Sequence, residues 1–159
     1  MTPTLRPLDP GDLDAVLPLE AELFGRGKWT RGMFLSELSA PRRHYRVAER
    51  AGGIVGYAGI ALGETSQVMT IGVHPGHRRQ GIGRLLLTDL LEAARGFGAM
   101  EAILEVRIDA AAPQAMYTEF GFTPMGVRKN YYQAEGIDAL VMHKQLRSRI
   151  GPVGSEVTE

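Results

Sequence analysis

One segment, residues 70–87, constrains the fold of this chain more than any other. It reads Thr-Ile-Gly-Val-His-Pro-Gly-His-Arg-Arg-Gln-Gly-Ile-Gly-Arg-Leu-Leu-Leu, a β-branched strand followed by a basic turn and an apolar helix. Gly81 and Gly83 carry no Cβ, so the backbone N–H groups of the turn can approach a ligand closely. The first N–H groups of a helix lack intrahelical partners, and the helix dipole adds positive charge there. The segment therefore predicts an anion site.

The cations of this turn narrow the choice of anion. Arg78, Arg79 and Arg84 raise the positive potential around the N–H groups, and no acidic residue lies between them. A ligand that carries a diphosphate is the natural occupant. The turn lacks the Lys and the hydroxyl of the nucleoside-triphosphate loop, and Leu86 stands where the dinucleotide fingerprint needs a third glycine. What remains is Q/R-x-x-G-x-G at the start of a helix. The alternative, a solvated turn with two glycines, is disfavoured by the flanking strand and helix.

Length and composition fit a single ordinary globular domain. The chain has 159 residues, of which 44% are hydrophobic and 23% are charged. Its formal net charge is zero, which argues against a nucleic-acid or anionic-membrane partner. It contains no cysteine, which excludes disulfides and thiol catalysis. No apolar run of signal length or of the roughly 18–20 residues of a membrane span occurs, so we expect a cytoplasmic protein that acts as a monomer.

Hydrophobic spacing alternates along the chain between the periods of strands and helices. It predicts strands at residues 4–7, 44–50, 54–61, 67–73, 102–107, 122–132 and 137–145, with a hairpin turn at Gly52-Gly53. It predicts helices at residues 12–24, 82–96 and 111–120, and another that runs to Leu38, with Asp12 and Thr30 as caps of the first two in the chain. This order predicts an α/β (α+β) domain with one mixed sheet flanked by helices. Residues 147–159 lack periodicity and are expected to form a flexible tail.

The second informative position is Glu105. Strand alternation places Ile103, Glu105 and Arg107 on one face, and Leu104 and Val106 on the other. Glutamate is depleted in strand interiors and is rarely buried without a partner. One interpretation is a salt bridge or a solvated sheet face. The other is a carboxylate at a cleft that acts as a general base.

Tyr117, on the next predicted helix, favours the second interpretation. A tyrosine beside Met116 and Phe120 is usually a packing residue with a bonded hydroxyl. However, Leu-Glu-Val-Arg at residues 104–107, followed by Tyr-x-x-x-Gly-Phe at residues 117–122, resembles the GNAT acyltransferase superfamily. The resemblance is closest to the bacterial ribosomal-protein-alanine N-acetyltransferases (RimI-type). It continues through residues 128–132 and 138–139, is strong over residues 66–146, and is looser before them.

The resemblance implies a single GNAT-like domain over residues 1–146, with about seven mostly antiparallel strands and about four helices. It implies that Glu105 activates the acceptor amine through water and that Tyr117 protonates the departing CoA thiolate. An α-amine has a pKa near 8, so a modest base suffices, whereas a lysine at about 10.4 demands more. The cofactor-binding residues that it implies for acetyl-CoA are Ile71, Gly72, Val73, Arg78, Arg79, Gln80, Gly81, Ile82, Gly83 and Arg84. The residues that it implies for the acceptor groove are Trp29, Tyr131 and Tyr132.

One position departs from the family pattern. The family usually has Asn five residues after the catalytic Glu, where its side chain contacts the cofactor, and this chain has Ala110 there. Asp109 is instead a candidate cap of the following helix. His74 and His77 lack a third ligand in range, so we expect no metal and place both on a polar loop.

Three functions remain open from the sequence. The first is acetyl-CoA-dependent acetylation of a protein N-terminus, which the resemblance identifies as the alanine terminus of a ribosomal protein. The second is a GNAT enzyme for lysine side chains or a small amine, and the third is a CoA-binding module without turnover. An acidic rim at residues 9–22 would favour a basic acceptor, unless it is only a solvated helix face; it consists of Asp9, Asp12, Asp14, Glu20 and Glu22.

Overall fold

A computed structural model describes residues 2–132 and 136–147 of the chain. Within them, seven strands are present: β1 (Thr4–Pro7), β2 (Arg43–Arg50), β3 (Gly53–Ala61), β4 (Thr65–Val73), β5 (Glu101–Arg107), β6 (Thr123–Tyr132) and β7 (Ile137–Gln145). The same residues form four α-helices: α1 (Leu13–Phe24), α2 (Arg31–Ser39), α3 (Ile82–Phe97) and α4 (Ala111–Glu119). The strands make one sheet in the order β1-β2-β3-β4-β5-β7-β6. The predicted fold class is confirmed.

The helices follow from their local sequences. In α3 the buried side chains recur at helical spacing. The helix ends at Gly98, the C-cap residue, whose φ of 98° lies in the left-handed region that glycine adopts readily. The hydroxyl of Thr30 accepts the N–H of Met33 at 3.2 Å, which confirms the predicted cap of α2. Asp12 is the N-cap residue of α1, as predicted, but its carboxylate makes no capping bond to this helix. It accepts the N–H of Asp9 and pairs with the Arg6 guanidinium, both at 2.8 Å.

The helices cover both faces of the sheet. On one face, α3 and α4 pack on a core cluster that includes Leu104 and Val106 of β5. On the other face, α1 and α2 pack on a second cluster that includes Tyr57 of β3. Because side chains alternate along a strand, Glu105 projects from the face opposite Leu104 and Val106, as the sequence predicts.

The sheet opens in its middle, between β4 and β5. These two strands run parallel and pair only at Thr65–Glu101, Ser66–Ala102 and Gln67–Ile103. Beyond that point β4 continues beside β3 while β5 continues beside β7. The two strands therefore diverge and leave a gap that passes through the sheet.

Two predictions near loops have different outcomes. The β2–β3 turn is one residue earlier than predicted, at Ala51-Gly52, because both residues adopt positive φ and Gly53 already belongs to β3. Of the predicted flexible tail, only Arg147 lies among the described residues, and it donates to the carbonyl oxygens of Ala99 and Arg95. No helix in the described ranges combines the length and apolar character needed to cross a membrane.

Candidate active site

A cavity of about 620 Å³ occupies the gap between β4 and β5. Its wall brings together many of the predicted site residues, namely Trp29, Ile71, Glu105, Tyr117, Tyr131 and Tyr132. Ala110, which replaces the asparagine usual in the family, also lines it. The wall does not include Gly72, Val73 or the loop at residues 78–84. These residues follow Ile71 in the chain, at the end of β4 and in the connection to α3.

Glu105 lies on the cavity wall with a side chain that is 11% exposed. Its carboxylate forms an ion pair with the guanidinium of Arg128 from β6. Arg128 in turn lies over the ring of Tyr131, 4.5 Å from its centroid. The salt bridge of the first interpretation is present, and the residue also borders a cavity, as the second requires; its role as a general base stays a prediction. The partner is half exposed, so it can leave the carboxylate at little cost.

Tyr117 reaches the same cavity from the other side of the sheet. It belongs to the core cluster beneath α3 and α4, and its ring packs against Phe122 with centroids 6.0 Å apart. Burial, with a smaller contribution from Tyr132, raises the pKa of Tyr117 to about 12. The phenol therefore carries its proton at neutral pH, as a proton donor must before it reacts.

The strand β4 presents its backbone to the gap. Its residues Ile71, Gly72 and Val73 pair with β3 on one side, whereas pairing with β5 has ended at Gln67. Position 72 requires glycine, because a Cβ there would lie 2.6 Å from Cζ of Tyr57. Main-chain groups on the β5 side of this stretch are thus available to a ligand in the gap.

The turn before α3 has the geometry of an anion site. Gly81 is the N-cap residue with a φ of 81°, and no side chain caps the helix, so its first N–H groups remain available. Arg79 also adopts a positive φ, of 61°. At Gly83 a Cβ would be 3.4 Å from Sδ of Met116, an ordinary packing distance, so α4 lies directly beside the start of α3.

The side chains around this turn already have partners that the sequence could not show. Arg84 pairs with Glu119 of α4, and Gln80 accepts a hydrogen bond from Arg50. Within residues 2–132 and 136–147, Arg78 and Arg79 have no salt bridge, so their charge is directed to solvent at the turn. A helix N-terminus, two glycines and two such cations fit the diphosphate that the sequence predicts.

Aromatic side chains form the wall on the side of α1 and α2. Trp29, in the connection between these helices, packs against Phe34 with ring centroids 5.0 Å apart. Tyr131 and Tyr132, at the end of β6, stack edge to face at 5.1 Å. Burial raises the pKa of Tyr132 to about 12, so this hydroxyl also stays protonated. The predicted acceptor residues therefore line one cavity with Glu105.

Two residues of the site are not predicted from the sequence. Arg128 was part of a matching motif but had no assigned role. Glu20 was assigned to an exposed acidic rim, yet it is only 2% exposed and lines the cavity. Its spacing of four and seven residues from Val16 and Leu13, both fully buried, is the signal that places it on the core face of α1.

The acidic rim is therefore wrong as predicted. Besides the burial of Glu20, Asp12 pairs with Arg6 and Asp14 pairs with Arg31 at 2.7 Å, so much of the negative charge is neutralised locally.

Two further predictions concern the loops around the site. Asp109 does not cap α4, because its carboxylate pairs with Arg107 at 3.1 Å and the N-cap residue is Ala110. His74 and His77 lie in the loop after β4, where His74 Nδ1 accepts the N–H of Gly76.

A split sheet with a cavity in the split and an anion-binding turn beside it is an arrangement expected of an acyltransferase. The sequence pattern of the Acetyltransferase (GNAT) family matches residues 13–122, and the chain belongs to this family, whose co-substrate is acetyl-CoA. The chain is 43% identical to N-alpha-acetyltransferase RimI of Mycobacterium tuberculosis, over 89% of this chain and 91% of that protein. It is 38% identical to a putative ribosomal protein bS18-alanine N-acetyltransferase of Bacillus subtilis, over 82% and 87% of the two chains.

The fold shows the same relationship. The crystal structure of the ribosomal-protein-S18-alanine N-acetyltransferase from Escherichia coli superimposes with a TM-score of 0.84 and 27% sequence identity. The match covers 99% of each chain. The similarity thus extends over the α1–α2 connection and over β6, both of which contribute side chains to the cavity wall.

Proposed function

We propose that this protein transfers the acetyl group of acetyl-CoA to the α-amine of a protein N-terminus, the N-terminal alanine of ribosomal protein bS18. The observation that carries the proposal is the cavity in the split sheet, where Glu105 and Tyr117 meet from opposite faces. The relatives named for this reaction match the chain over most of its length. A base on one face and an acid on the other are the two groups that direct acetyl transfer to an amine needs.

Glu105 takes the proton from the acceptor. An α-ammonium group has a pKa near 8, so a carboxylate that acts through a bound water can remove its proton and free the lone pair of the nitrogen. The ammonium group replaces Arg128 beside Glu105, because both are cations and the arginine is half exposed. Trp29, Tyr131 and Tyr132 enclose the first residues of the acceptor peptide.

Tyr117 acts on acetyl-CoA, the acetyl donor. The amine nitrogen forms a bond to the acetyl carbon while the bond from that carbon to the CoA sulfur breaks. The phenol of Tyr117 gives its proton to the departing sulfur and recovers one from solvent, while the proton that the nitrogen loses on becoming an amide passes to solvent through bound water. Main-chain groups of Ile71, Gly72 and Val73 hold the pantetheine arm and the acetyl carbonyl, where a strand N–H stabilises the developing negative charge on oxygen.

The turn before α3 holds the pyrophosphate of CoA. Backbone N–H groups from Gly81 to Arg84 contact its oxygens, and Arg78 and Arg79 supply positive charge, with Gln80, Ile82 and Gly83 shaping the turn. We further propose that the catalytic domain spans residues 1–146 and that the protein acts in the cytoplasm as a monomer on its ribosomal substrate.

Matched acceptors test this proposal. The protein is incubated with acetyl-CoA and a peptide of the bS18 N-terminus, and CoA release is measured while mass spectrometry locates the acetyl group. The control is the same peptide with a blocked α-amine and a free lysine, accompanied by a polyamine. We expect acetylation of the α-amine alone, and preferential modification of the lysine or polyamine would overturn the N-terminal specificity.

A further inference from the structure

The carboxylate of Glu20 joins Trp29, which lines the cavity, to Tyr57 of β3, which lies behind the cavity wall. It projects from α1 and is 2% exposed. Its Oε1 accepts the hydroxyl of Tyr57 from β3, and its Oε2 accepts the backbone N–H of Trp29 at 2.8 Å. Both oxygens therefore bind a protein donor, and the two donors are 28 positions apart in the sequence.

Each of these hydrogen-bond donors belongs to a part of the protein that is assigned to one of the two substrates. Trp29 lies in the α1–α2 connection and forms part of the acceptor wall. The ring of Tyr57 covers the backbone of Gly72, which lies on the stretch of β4 assigned to the acetyl group. A single buried side chain thus links the acceptor loop to the strand that holds the donor.

We propose that Glu20 is a positioning residue that fixes the Trp29 segment relative to β4, so that the acceptor amine meets the acetyl carbon at the correct distance. This inference rests on the proposed function of the cavity. A buried carboxylate is costly unless donors compensate for lost water, and Glu20 receives that compensation from the two groups whose separation matters. A small displacement of an acceptor can cost a large part of the rate.

The geometry favours positioning over proton transfer. Both oxygens of Glu20 accept bonds from groups that are part of the fold, so proton transfer by this carboxylate would disturb the bonds that hold Trp29 and Tyr57. Glu105 differs, because its partner is a half-exposed arginine that a substrate can replace. A glutamine at position 20 keeps the geometry, since its carbonyl oxygen can accept from Trp29 while its amide donates to the Tyr57 oxygen. It removes the charge that a base would need.

The experiment compares Glu20→Leu, Glu20→Gln and Tyr57→Phe. The matched control is Tyr45→Phe, which removes the hydroxyl that donates to Glu37 at 2.7 Å, in the same core cluster but away from Gly72. Steady-state kinetics give kcat and the KM of each substrate. Fluorescence follows Trp29, the sole tryptophan of the chain, and reports directly on the segment that Glu20 holds.

For Glu20→Leu we expect the peptide KM to rise about tenfold or more, the acetyl-CoA KM to stay within about twofold, and Trp29 emission to shift to the red with easier quenching. Tyr57→Phe, which keeps the Trp29 bond, raises the peptide KM by a smaller factor. Glu20→Gln and Tyr45→Phe stay within about threefold of the unsubstituted protein.

Two results would overturn the proposal. One is an unchanged peptide KM and Trp29 emission in Glu20→Leu, or in Tyr57→Phe should the leucine variant not fold. The other is a loss of kcat in Glu20→Gln as large as in Glu20→Leu, which would make Glu20 a proton-transfer group. If the unsubstituted protein acetylates no N-terminal peptide, the proposed function fails, and Trp29 fluorescence in the variants still decides whether Glu20 positions this segment.

Discussion

Replacing Glu105 by glutamine tests the core of the proposed mechanism. The change preserves the shape of the side chain and removes the proton acceptor from the cavity wall, so we expect kcat to fall about 10²–10⁴-fold. Acetyl-CoA affinity should hardly change, because the proposed pyrophosphate turn lies outside the cavity wall that holds Glu105. The thermal midpoint should also hardly change, since the partner Arg128 is half exposed and regains water.

Rapid CoA-release kinetics over a pH range provide the assay. As the pH rises through about 8, solvent deprotonates the α-amine and the deficit of the glutamine variant should shrink. The matched control is Glu101→Gln on the same strand and face, whose carboxylate pairs with His143 at 3.3 Å and does not line the cavity. A kcat for Glu105→Gln within about twofold of the control would refute the reasoning and leave Glu105 as a structural partner of Arg128.

Three further predictions use other parts of the structure. Tyr117→Phe should lower kcat with little effect on the peptide KM, measured by the same assay, because the phenol acts on the donor alone. Gly83→Asp should abolish the rise in thermal midpoint that CoA gives the unsubstituted protein, since a carboxylate then faces the phosphates. The hydrogen bond from Arg6 lowers the pKa of Asp12 below its ordinary value, so this carboxylate stabilises the fold above that value and loses its effect in acid. Asp12→Asn should therefore lower the thermal midpoint at neutral pH, and calorimetry should show the difference vanishing as the pH falls through the lowered pKa.

The sequence predicts best the features that depend on local periodicity. The anion turn follows from Gly81 and Gly83 before a helix with regularly spaced leucines, and α3 begins where this pattern places it. Glu105 is recognisable because strand alternation gives it the face opposite two buried residues. Both signals lie within a few residues of the chain and need no knowledge of its tertiary contacts.

Features that depend on contacts between distant residues were not predictable in this way. In the sequence Glu20 is one of several acidic residues in the same stretch. Only the packing of α1 on β3 shows that it is buried and accepts a hydrogen bond from Tyr57. In the sequence Arg84 has no obvious partner, whereas in the structure α4 places Glu119 beside it. Asp12 has the sequence position of a helix cap, but a guanidinium from β1 offers a stronger partner.

The proposed placement of the two substrates also predicts the kinetic order of the reaction. With the acceptor at Glu105 on the α1 and α2 face and the donor toward Tyr117 and α3, the two substrates would use different walls of one cavity and could be bound together. The chain has no cysteine to carry an acetyl group between them. We therefore expect direct attack in a ternary complex, so that plots of reciprocal rate against reciprocal peptide concentration intersect as acetyl-CoA is varied. Parallel lines, together with acetylated protein detected by mass spectrometry in the absence of peptide, would instead show a covalent acetyl-enzyme and contradict this geometry.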